Sequence, residues 1–280
     1  MMKTPTTDTA RLETRLRSTF GLKTIPFAKD LEPDQAFRSD TFDRALERLG
    51  YLADRQGMGA IFGTPGTGKS TLLRSFLGSL PKSAYAVCYL SHTNCATLDL
   101  FRDIARGFLL EPRWRKSDVM HDIHERLVKL SRGQKVRPIL VVDDAHLLPC
   151  SSLDELRLLT SFEQDSRDDL TLVLAGHPQL ESNLRLAVNE AFAQRLVVRQ
   201  HLRPMRAEEV ANYLTFRLEH AGRTARLFLP DAVEAIHRGS RGIPRMIDRI
   251  AEHSLLAALK AKRNDIDAEI VTEAIEEVEP

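Results

Sequence analysis

The sequence predicts an α/β fold with a parallel five-stranded sheet flanked by helices, followed by a smaller all-helical domain. Three observations indicate this fold. A complete phosphate-binding motif joins an apolar run to a helical one, apolar runs alternate with amphipathic helices as far as residue 202, and only helical patterns follow. We therefore expect an N-terminal tail or weak helix over residues 1–19, a nucleotide-binding domain over 20–202 and a helical domain over 203–280.

The most specific motif is a phosphate-binding loop. Residues 63–70 read Gly-Thr-Pro-Gly-Thr-Gly-Lys-Ser and match G-x-x-x-x-G-K-[ST] at every fixed position. The glycines allow backbone N–H groups to surround phosphate oxygens at the positive end of the following helix. We predict that Lys69 contacts the β- and γ-phosphates and that the Ser70 hydroxyl binds Mg²⁺. The predicted nucleotide-binding residues of this loop are Gly63, Thr64, Pro65, Gly66, Thr67, Gly68, Lys69, Ser70 and Thr71.

A second motif places two carboxylates at the end of an apolar strand. Residues 138–146 read Pro-Ile-Leu-Val-Val-Asp-Asp-Ala-His. A strand buried on both faces whose carboxyl end is acidic is typical of a catalytic edge in a parallel sheet. We predict that Asp143 holds Mg²⁺ and that Asp144 orients the attacking water. A solvated acidic turn is the structural alternative, and the phosphate loop upstream favours the catalytic interpretation.

The remaining elements follow from periodicity and from caps and breakers. Apolar spacing predicts a helix over 40–56 that begins at Asp40, and a helix over 117–132 that is capped by Ser117. We expect the run at 84–90 to be a buried second strand. Further predicted helices are 71–77, 96–110 and 151–165, the last with Phe162 inside, and the other predicted strands are 58–62, 169–175 and 196–199.

Beyond residue 202 the pattern is helical only, with segments over 206–220, 230–238, 244–262 and 265–278. Arg245 stands at the start of one of these helices, where the helix dipole disfavours a cation. Such a placement invites a functional explanation, such as contact with phosphate. His177 follows the strand at 169–175 and could contact the γ-phosphate or the attacking water, although a single histidine there is more often structural.

Composition limits the class of protein. The chain has 280 residues with 40 Lys and Arg against 39 Asp and Glu, so there is no overall basic field for nucleic acid. The cysteines have no paired or metal-type spacing, which fits a reducing compartment. The sequence contains neither a signal peptide nor an apolar run of about 18 residues. We expect a soluble cytoplasmic protein that does not contact a membrane. The three cysteines are Cys88, Cys95 and Cys150.

The ordered motifs resemble AAA+ ATPases of the ExeA, TniB and TnsC kind, which are related in role to MuB and IstB. The resemblance extends from Phe20 to the end of the chain. It implies a P-loop AAA+ core with a C-terminal helical lid domain. The segments that carry the resemblance are 26–27, 63–70, 143–146, 156–163, 174–180, 194–195, 213–222 and 242–245.

The resemblance also implies roles for single residues. His177 matches the sensor-one position, Arg245 the sensor-two arginine of the lid, and Arg195 the arginine finger that completes a neighbouring subunit's site. Arg199 is the second candidate for the finger, and either arginine could instead pair with acidic groups nearby. A finger acting on a neighbour implies a homo-oligomer, either a ring or a helical filament, that forms with ATP.

One residue departs from the family pattern. Where the family has Asp-Glu-Ala-His, this chain has Asp143-Asp144-Ala145-His146, so the water-orienting carboxylate is one methylene shorter. Positioning catalysis is sensitive to displacements of about 1 Å. We therefore predict slow ATP hydrolysis and long-lived ATP-bound assemblies.

The resemblance leaves three functions open. We expect a regulator of transposition that oligomerises on double-stranded DNA and recruits a DDE-type transposase, because the chain ends at Pro280 with no membrane part. The alternative is a cytosolic ATPase of a secretion or envelope-assembly system that acts on protein partners. The third is a nucleotide switch with almost no turnover. The predicted DNA contacts are Thr93 and Asn94, then Arg113, Arg115 and Lys116, and a solvated turn is an equal alternative for the last three.

Overall fold

The computed structural model describes residues 7–28, 35–91, 93–161 and 168–278. The chain divides into two compact units. We call Asp40–Arg203 the nucleotide unit, and Met1–Ser39 together with Pro204–Pro280 the helical unit. The two units have separate hydrophobic cores.

The described residues form twelve α-helices and five strands. The strands are β1 Gly57–Phe62, β2 Tyr85–Leu90, β3 Arg137–Val142, β4 Thr171–Gly176 and β5 Leu196–His201. The helices are α1 Thr7–Phe20, α2 Asp40–Arg55, α3 Lys69–Ser79, α4 Thr97–Gly107, α5 Lys116–Val128, α6 Cys150–Leu159, α7 Pro178–Leu184, α8 Glu190–Gln194, α9 Ala207–His220, α10 Pro230–Ser240, α11 Pro244–Ala261 and α12 Ala268–Val278.

The five strands form one parallel sheet in the order β2-β3-β4-β1-β5, which confirms the predicted fold class. Strands β1 and β4 are buried along their whole length, as expected for central strands covered on both faces. Their register pairs Phe62 with Gly176, so the two strands end level with each other. The carboxyl ends of β3, β4 and β1 are therefore neighbours, and the segments that follow them carry the predicted site residues.

The prediction that the second strand is buried is wrong. Strand β2 lies at the edge of the sheet and pairs only with β3 among the described strands. Cys88 and Leu90 on one face are buried, but Val87 and Tyr89 on the other face are more than a third exposed. A β-rich run of six residues does not reveal strand order, because edge and central strands share the same local propensity.

The N-terminal segment, predicted as a tail or weak helix, is helical in its described part and contributes to the helical unit. Leu16 and Phe20 of α1 are buried with Leu22 and Phe27 in the core of that unit. The spacing of Leu16 and Phe20 places both on one face of α1. The boundary expected near residue 20 thus lies at Asp40, and residues 20–28 and 35–39 group with the helical unit.

A buried arginine joins the N-terminal segment to the helices of this unit. Arg217 is 1% exposed, and its guanidinium donates to the carbonyl oxygens of Pro26 at 2.7 Å and Ala28 at 2.9 Å. It also donates to the Tyr213 hydroxyl at 2.8 Å and to the Asp248 carboxylate at 3.2 Å. The charge is therefore paired, and each of the three guanidinium nitrogens has an acceptor, as a buried charge requires.

Two boundaries differ from the predicted ones. Helix α5 begins at Lys116 after Arg115, so Ser117 lies inside the helix and is not its cap. Helix α6 ends at Leu159, and the predicted buried position Phe162 lies outside the described residues. No described helix is both long enough and apolar enough to span a membrane.

Candidate active site

The phosphate loop connects β1 to α3 with a backbone that only glycines adopt easily. Gly66 and Gly68 have φ values of 84° and 94°, in the left-handed region. A Cβ on Gly68 would have no atom within 4 Å, so this residue faces open space. The Lys69 ammonium donates to the carbonyl oxygens of Gly63 at 2.8 Å and Thr64 at 3.2 Å. The backbone of the loop therefore surrounds the Lys69 ammonium.

Ser70 and Asp143, the two predicted metal ligands, lie in contact. The Ser70 hydroxyl donates to Asp143 Oδ2 at 2.9 Å, although the two residues are 73 positions apart in sequence. The Tyr89 hydroxyl donates to the same oxygen at 2.6 Å, and the backbone N–H of Asp144 donates to Asp143 Oδ1 at 2.9 Å. Burial, and then the hydrogen bond to Asp143, raise the pKa of Tyr89, so its hydroxyl remains a donor at neutral pH.

Asp144 has a left-handed backbone conformation, unlike the extended backbone of strand β3 before it. Its φ of 50° and ψ of 35° are left-handed, a region that aspartate tolerates better than most residues. The Thr93 hydroxyl donates to the Asp144 carbonyl oxygen at 2.9 Å and ties this turn to the segment after β2. The Asp144 side chain is 48% exposed, so its carboxylate is open to solvent beside the buried Asp143.

Two histidines stack beside these carboxylates. The rings of His146 and His177 have centroids 3.9 Å apart and planes 27° apart. A Cβ on Gly176 would lie 3.1 Å from the backbone nitrogen of His146, so this glycine lets the turn after β3 approach the end of β4. Burial, and then the charges of His146 and Lys69, lower the pKa of His177. His177 is therefore a neutral imidazole at neutral pH.

The residues of this edge fit a nucleotide with Mg²⁺. The loop offers backbone donors and Lys69 for phosphate, while Ser70 and Asp143 offer the oxygen ligands that Mg²⁺ prefers. The Thr64 hydroxyl is buried and has no hydrogen-bond partner among the described residues. A buried polar group in that state suits a bound polar ligand. The carboxyl-terminal end of the sheet thus brings together five predicted site residues: Lys69, Ser70, Asp143, Asp144 and His177.

The two candidate arginine fingers are engaged within their own unit. The Arg195 guanidinium donates to Ser161 Oγ at 2.8 Å, lies 3.7 Å from Asp168 and is 22% exposed. Arg199 is exposed and donates to the Ala193 carbonyl oxygen at 2.5 Å. Either arginine would have to leave these partners to reach a neighbouring subunit, so the finger role stays a prediction.

Arg245 belongs to the helical unit. It is exposed in the first turn of α11, directly after Pro244, as the sequence predicts. Its assignment to the nucleotide site stays a prediction, like the sensor role of His177.

The residues predicted to contact DNA differ in their exposure and in their ion pairs. Thr93 is 1% exposed and bonded to the Asp144 turn, so it is not a surface residue and that prediction is wrong. Arg113 pairs with Asp122 at 2.8 Å, and Lys116 with Glu155 at 2.6 Å. These two cations are partly neutralised. Asn94 and Arg115 are exposed.

Sequence reasoning missed two members of the site. Tyr89 was not identified because the hydroxyl of a strand tyrosine carries no motif, although it stands next to the last residue of β2. His146 ends the acidic motif at 138–146, and the motif by itself indicates no separate role for it. Its position three residues after Asp143 was the available signal, but its contact with His177 depends on the pairing of β3 with β4.

The fold and the site together define a P-loop AAA+ ATPase domain. Residues 52–184 match the AAA domain family, a range that contains the phosphate loop, both carboxylates and both histidines. The nucleotide-binding ATPase class predicted from the motifs is thereby confirmed.

The relatives extend the match to both units. General secretion pathway protein A of Aeromonas hydrophila is 36% identical over 247 residues, which is 85% of this chain and 44% of that protein. The chain thus spans less than half the length of this relative. Among solved structures, Cdc6p of Pyrobaculum aerophilum has a TM-score of 0.69 at 21% identity over 90% of this chain and 70% of that chain. Drosophila ORC bound to DNA has a TM-score of 0.68 at 17% identity over 100% and 70% of the two chains. These structural likenesses show the fold alone.

Proposed function

We propose that this protein hydrolyses MgATP slowly and uses the nucleotide cycle to control an assembly that acts on protein partners of a secretion or envelope-assembly system. The observation that carries the ATP-dependent part is the 2.9 Å contact between Ser70 and Asp143 at the mouth of a complete phosphate loop. That contact pairs the serine of the loop with the acidic end of a central strand, as metal-assisted phosphoryl transfer requires.

Binding of the nucleotide is assigned to the loop and the start of α3. Backbone N–H groups of residues 63–70 and the Lys69 ammonium would hold the phosphates, and Ser70 with Asp143 would hold Mg²⁺. Mg²⁺ supplies charge neutralisation at the β- and γ-phosphates. Lys69 would exchange the carbonyl oxygens of Gly63 and Thr64 for phosphate oxygens, which are stronger acceptors.

Hydrolysis is assigned to Asp144 and His177. Asp144 has an exposed carboxylate beside the metal pair and would orient the attacking water. His177 is neutral and would donate a hydrogen bond to the γ-phosphate or the water. An aspartate reaches about one carbon–carbon bond less far than a glutamate, so we expect the water to be held poorly and turnover to be slow.

The proposal of a protein partner rests on the secretion-pathway relative. The identity of 36% extends over 85% of this chain and therefore includes more than the ATPase motifs. The neutralised pairs of Arg113 with Asp122 and of Lys116 with Glu155 weaken the case for a phosphate-binding surface at that turn.

Control of transposition on double-stranded DNA is the second candidate, with a DDE-type transposase as partner. Its support is the ordered set of motifs and the exposure of Asn94 and Arg115. A ring or helical filament of this chain is part of both proposals, with Arg195 or Arg199 acting on a neighbouring subunit. A pure switch is the third proposal and differs in having no turnover.

Electron microscopy and turnover measurements separate these functions. The protein would be imaged with a slowly hydrolysed ATP analogue, with and without duplex DNA, and compared with Lys69→Ala. We expect analogue-dependent assemblies that form equally without DNA, together with slow ATP hydrolysis that DNA does not stimulate. Filaments that coat DNA and dissolve with salt would overturn the protein-partner proposal in favour of transposition. Assembly with ATP but without any hydrolysis would favour the switch.

A further inference from the structure

Three metal-ligating side chains converge at the ends of β3 and β4. Asp144, His146 and His177 each offer a ligand atom, and these atoms all lie within 4.8 Å of one another. The two imidazoles stack with centroids 3.9 Å apart and planes 27° apart, so binding of one ion by both requires one ring to rotate, because each nitrogen lone pair lies in its own ring plane. All three side chains are partly buried, so the cluster is shielded on one side and still open to an entering ion.

The contact between His146 and Asp144 does not have the length of a hydrogen bond. His146 Nδ1 lies 3.9 Å from Asp144 Oδ1, whereas a hydrogen bond between such atoms is about 2.7–3.2 Å long. Two ligand atoms of one tetrahedral Zn²⁺, each about 2.1 Å from the ion, lie about 3.4 Å apart, and they lie at most about 4.3 Å apart on opposite sides of an ion. The observed separation lies between these values, so a shift of about 0.5 Å brings the two atoms to the tetrahedral distance.

His146 Nδ1 is also an unsatisfied group. It is buried and has no hydrogen-bond partner among the described residues. A buried polar atom without a partner costs about 1–3 kcal/mol, so an electrophile at this position is stabilising. The unsatisfied nitrogen is an observation separate from the clustering, and it lies 3.9 Å from the Asp144 carboxylate.

We propose that Asp144, His146 and His177 bind one Zn²⁺ or a similar first-row divalent ion, and that this ion inhibits ATP hydrolysis. Two imidazoles and one carboxylate suit Zn²⁺, Co²⁺ or Ni²⁺, whereas Mg²⁺ prefers the oxygen-only pair of Ser70 and Asp143. Three protein ligands leave a fourth position for water.

The proposed inhibition rests on the proposed ATP hydrolysis. It requires that Asp144 cannot coordinate the ion and orient the attacking water at the same time. A carboxylate that coordinates Zn²⁺ is held at that ion, so it is not free to turn toward the γ-phosphate and orient the attacking water there. His177 would likewise be withdrawn from the nucleotide. Binding of the ion itself needs no nucleotide, so it can be measured separately from activity.

The binding test uses the full chain, freed of metal by a chelator and without nucleotide. Co²⁺ would be titrated while its visible absorption is recorded, and Zn²⁺ would then displace it in competition with a chromogenic chelator. We expect one ion per chain with the intense absorption of tetrahedral cobalt. His146→Gln and His177→Gln should each weaken binding at least about tenfold.

His121→Gln is the matched control, because it removes an exposed imidazole that lies 3.3 Å from the Glu125 carboxylate on one helix. We expect it to bind metal like the parent chain. Equal binding by all four proteins, or loss of binding on replacement of Cys95 and Cys150 by serine, would overturn the proposal. Circular dichroism checks that each variant is folded, and a variant that unfolds is replaced by Asp144→Asn.

Turnover distinguishes the two proposals from each other. Zn²⁺ should inhibit the Mg²⁺-supported ATPase of the parent chain at least about fivefold more strongly than that of His146→Gln, each compared with its own rate without Zn²⁺. If the chain binds one metal ion but never hydrolyses ATP, the proposed function and the proposed inhibition are both refuted. The proposed metal site would still stand. Hydrolysis that Zn²⁺ inhibits equally in both proteins would refute the inhibitory role and leave the proposed function.

Discussion

The two units each contain a cluster of buried polar groups, and the two clusters differ in how completely they are satisfied. In the helical unit, Arg217 donates to two carbonyl oxygens, a hydroxyl and a carboxylate. In the nucleotide unit, the hydroxyl of Thr64 and Nδ1 of His146 are buried without partners among the described residues. A buried polar network that is fully satisfied rigidifies a fold, whereas unsatisfied groups need an explanation.

This contrast indicates that the Arg217 cluster serves stability and that the cluster around Asp143 serves chemistry. The Arg217 cluster contains one charge pair with Asp248, and its guanidinium donates only to groups of the same unit among the described residues. The cluster around Asp143 gathers two carboxylates, a lysine and two histidines, and leaves Asp144 open to solvent. Substitutions in the two clusters should therefore be separable, with one lowering stability and the other lowering turnover.

Arg217→Met is expected to have the largest effect. It removes the cationic partner of Asp248, which keeps the Tyr213 hydroxyl as a donor, and it leaves two carbonyl oxygens without the Arg217 donors; breaking one side of a buried pair costs about 3–5 kcal/mol. The free energy of unfolding, measured in urea, should fall by that amount. Arg238→Met, which removes an exposed arginine of the same unit, is the control and should change it by less than about 0.5 kcal/mol. Equal stability of both variants would show that the Arg217 cluster is not structural.

Lys69→Ala is expected to have the largest effect on turnover. Loss of the cation at the transferred phosphate should lower kcat/KM for ATP by at least about 100-fold. Melting without nucleotide should show a folded protein, because the loop glycines and the burial of α3 do not depend on the ammonium group. Lys82→Ala removes an exposed lysine after α3 and should leave turnover unchanged. Wild-type turnover in Lys69→Ala would exclude this edge as the active site.

Asp144→Glu tests whether a short carboxylate limits the rate. The added methylene should bring the carboxylate nearer to the attacking water and raise kcat by about tenfold. Asp143→Glu inserts the same methylene one residue earlier, where it separates the carboxylate from Ser70, and should lower turnover. Nucleotide binding is measured in parallel. If Asp144→Glu binds nucleotide but turns over no faster, the proposed cause of slow hydrolysis is wrong.

Tyr89→Phe tests whether an edge-strand hydroxyl positions the metal ligand. Because the Tyr89 hydroxyl donates to Asp143 Oδ2 at 2.6 Å, its loss should raise the Mg²⁺ concentration for half-maximal turnover about three- to tenfold. The rate at saturating Mg²⁺ should stay near that of the parent chain. Tyr85→Phe, whose hydroxyl lies 3.1 Å from Asp54 away from the site, is the control. A change in kcat with an unchanged Mg²⁺ requirement would contradict the positioning role.

Asp267→Ala is expected to have the smallest effect. The backbone N–H of Ile270 donates to Asp267 Oδ1 at 3.1 Å, and loss of this cap at the start of α12 should cost about 1 kcal/mol. That N–H, and then Arg263, lower the pKa of Asp267 in the folded protein. The stabilisation is therefore present above the ordinary pKa of an aspartate and is lost as the pH falls through the lowered value. Unfolding of the parent chain and variant across acidic pH checks this, and a difference that grows as the pH falls would contradict it.

Most of the fold could be predicted from the sequence because its signals are local. The phosphate loop, the apolar run before Asp143 and the prolines at the starts of α10 and α11 each determine their own segment. Strand order and the membership of α1 could not be predicted in this way. They depend on which apolar faces meet, and Leu16 and Phe20 on a short polar helix are a weak signal without their partners in the helical unit.

The chemical groups of the site can be identified from local motifs, whereas their geometry depends on how the strands pair. Lys69, Ser70 and Asp143 are identified by motif, because phosphate and Mg²⁺ require particular groups at particular spacings. The contacts of Tyr89 with Asp143 and of His146 with His177 arise only when β2, β3 and β4 lie side by side. Likewise, Thr93 is a polar residue that the sequence places in a loop after β2. It is buried in the structure, where its hydroxyl donates to the turn at Asp144, which follows the neighbouring strand β3. Local sequence specifies which groups a strand end carries, but only sheet pairing decides which of them meet.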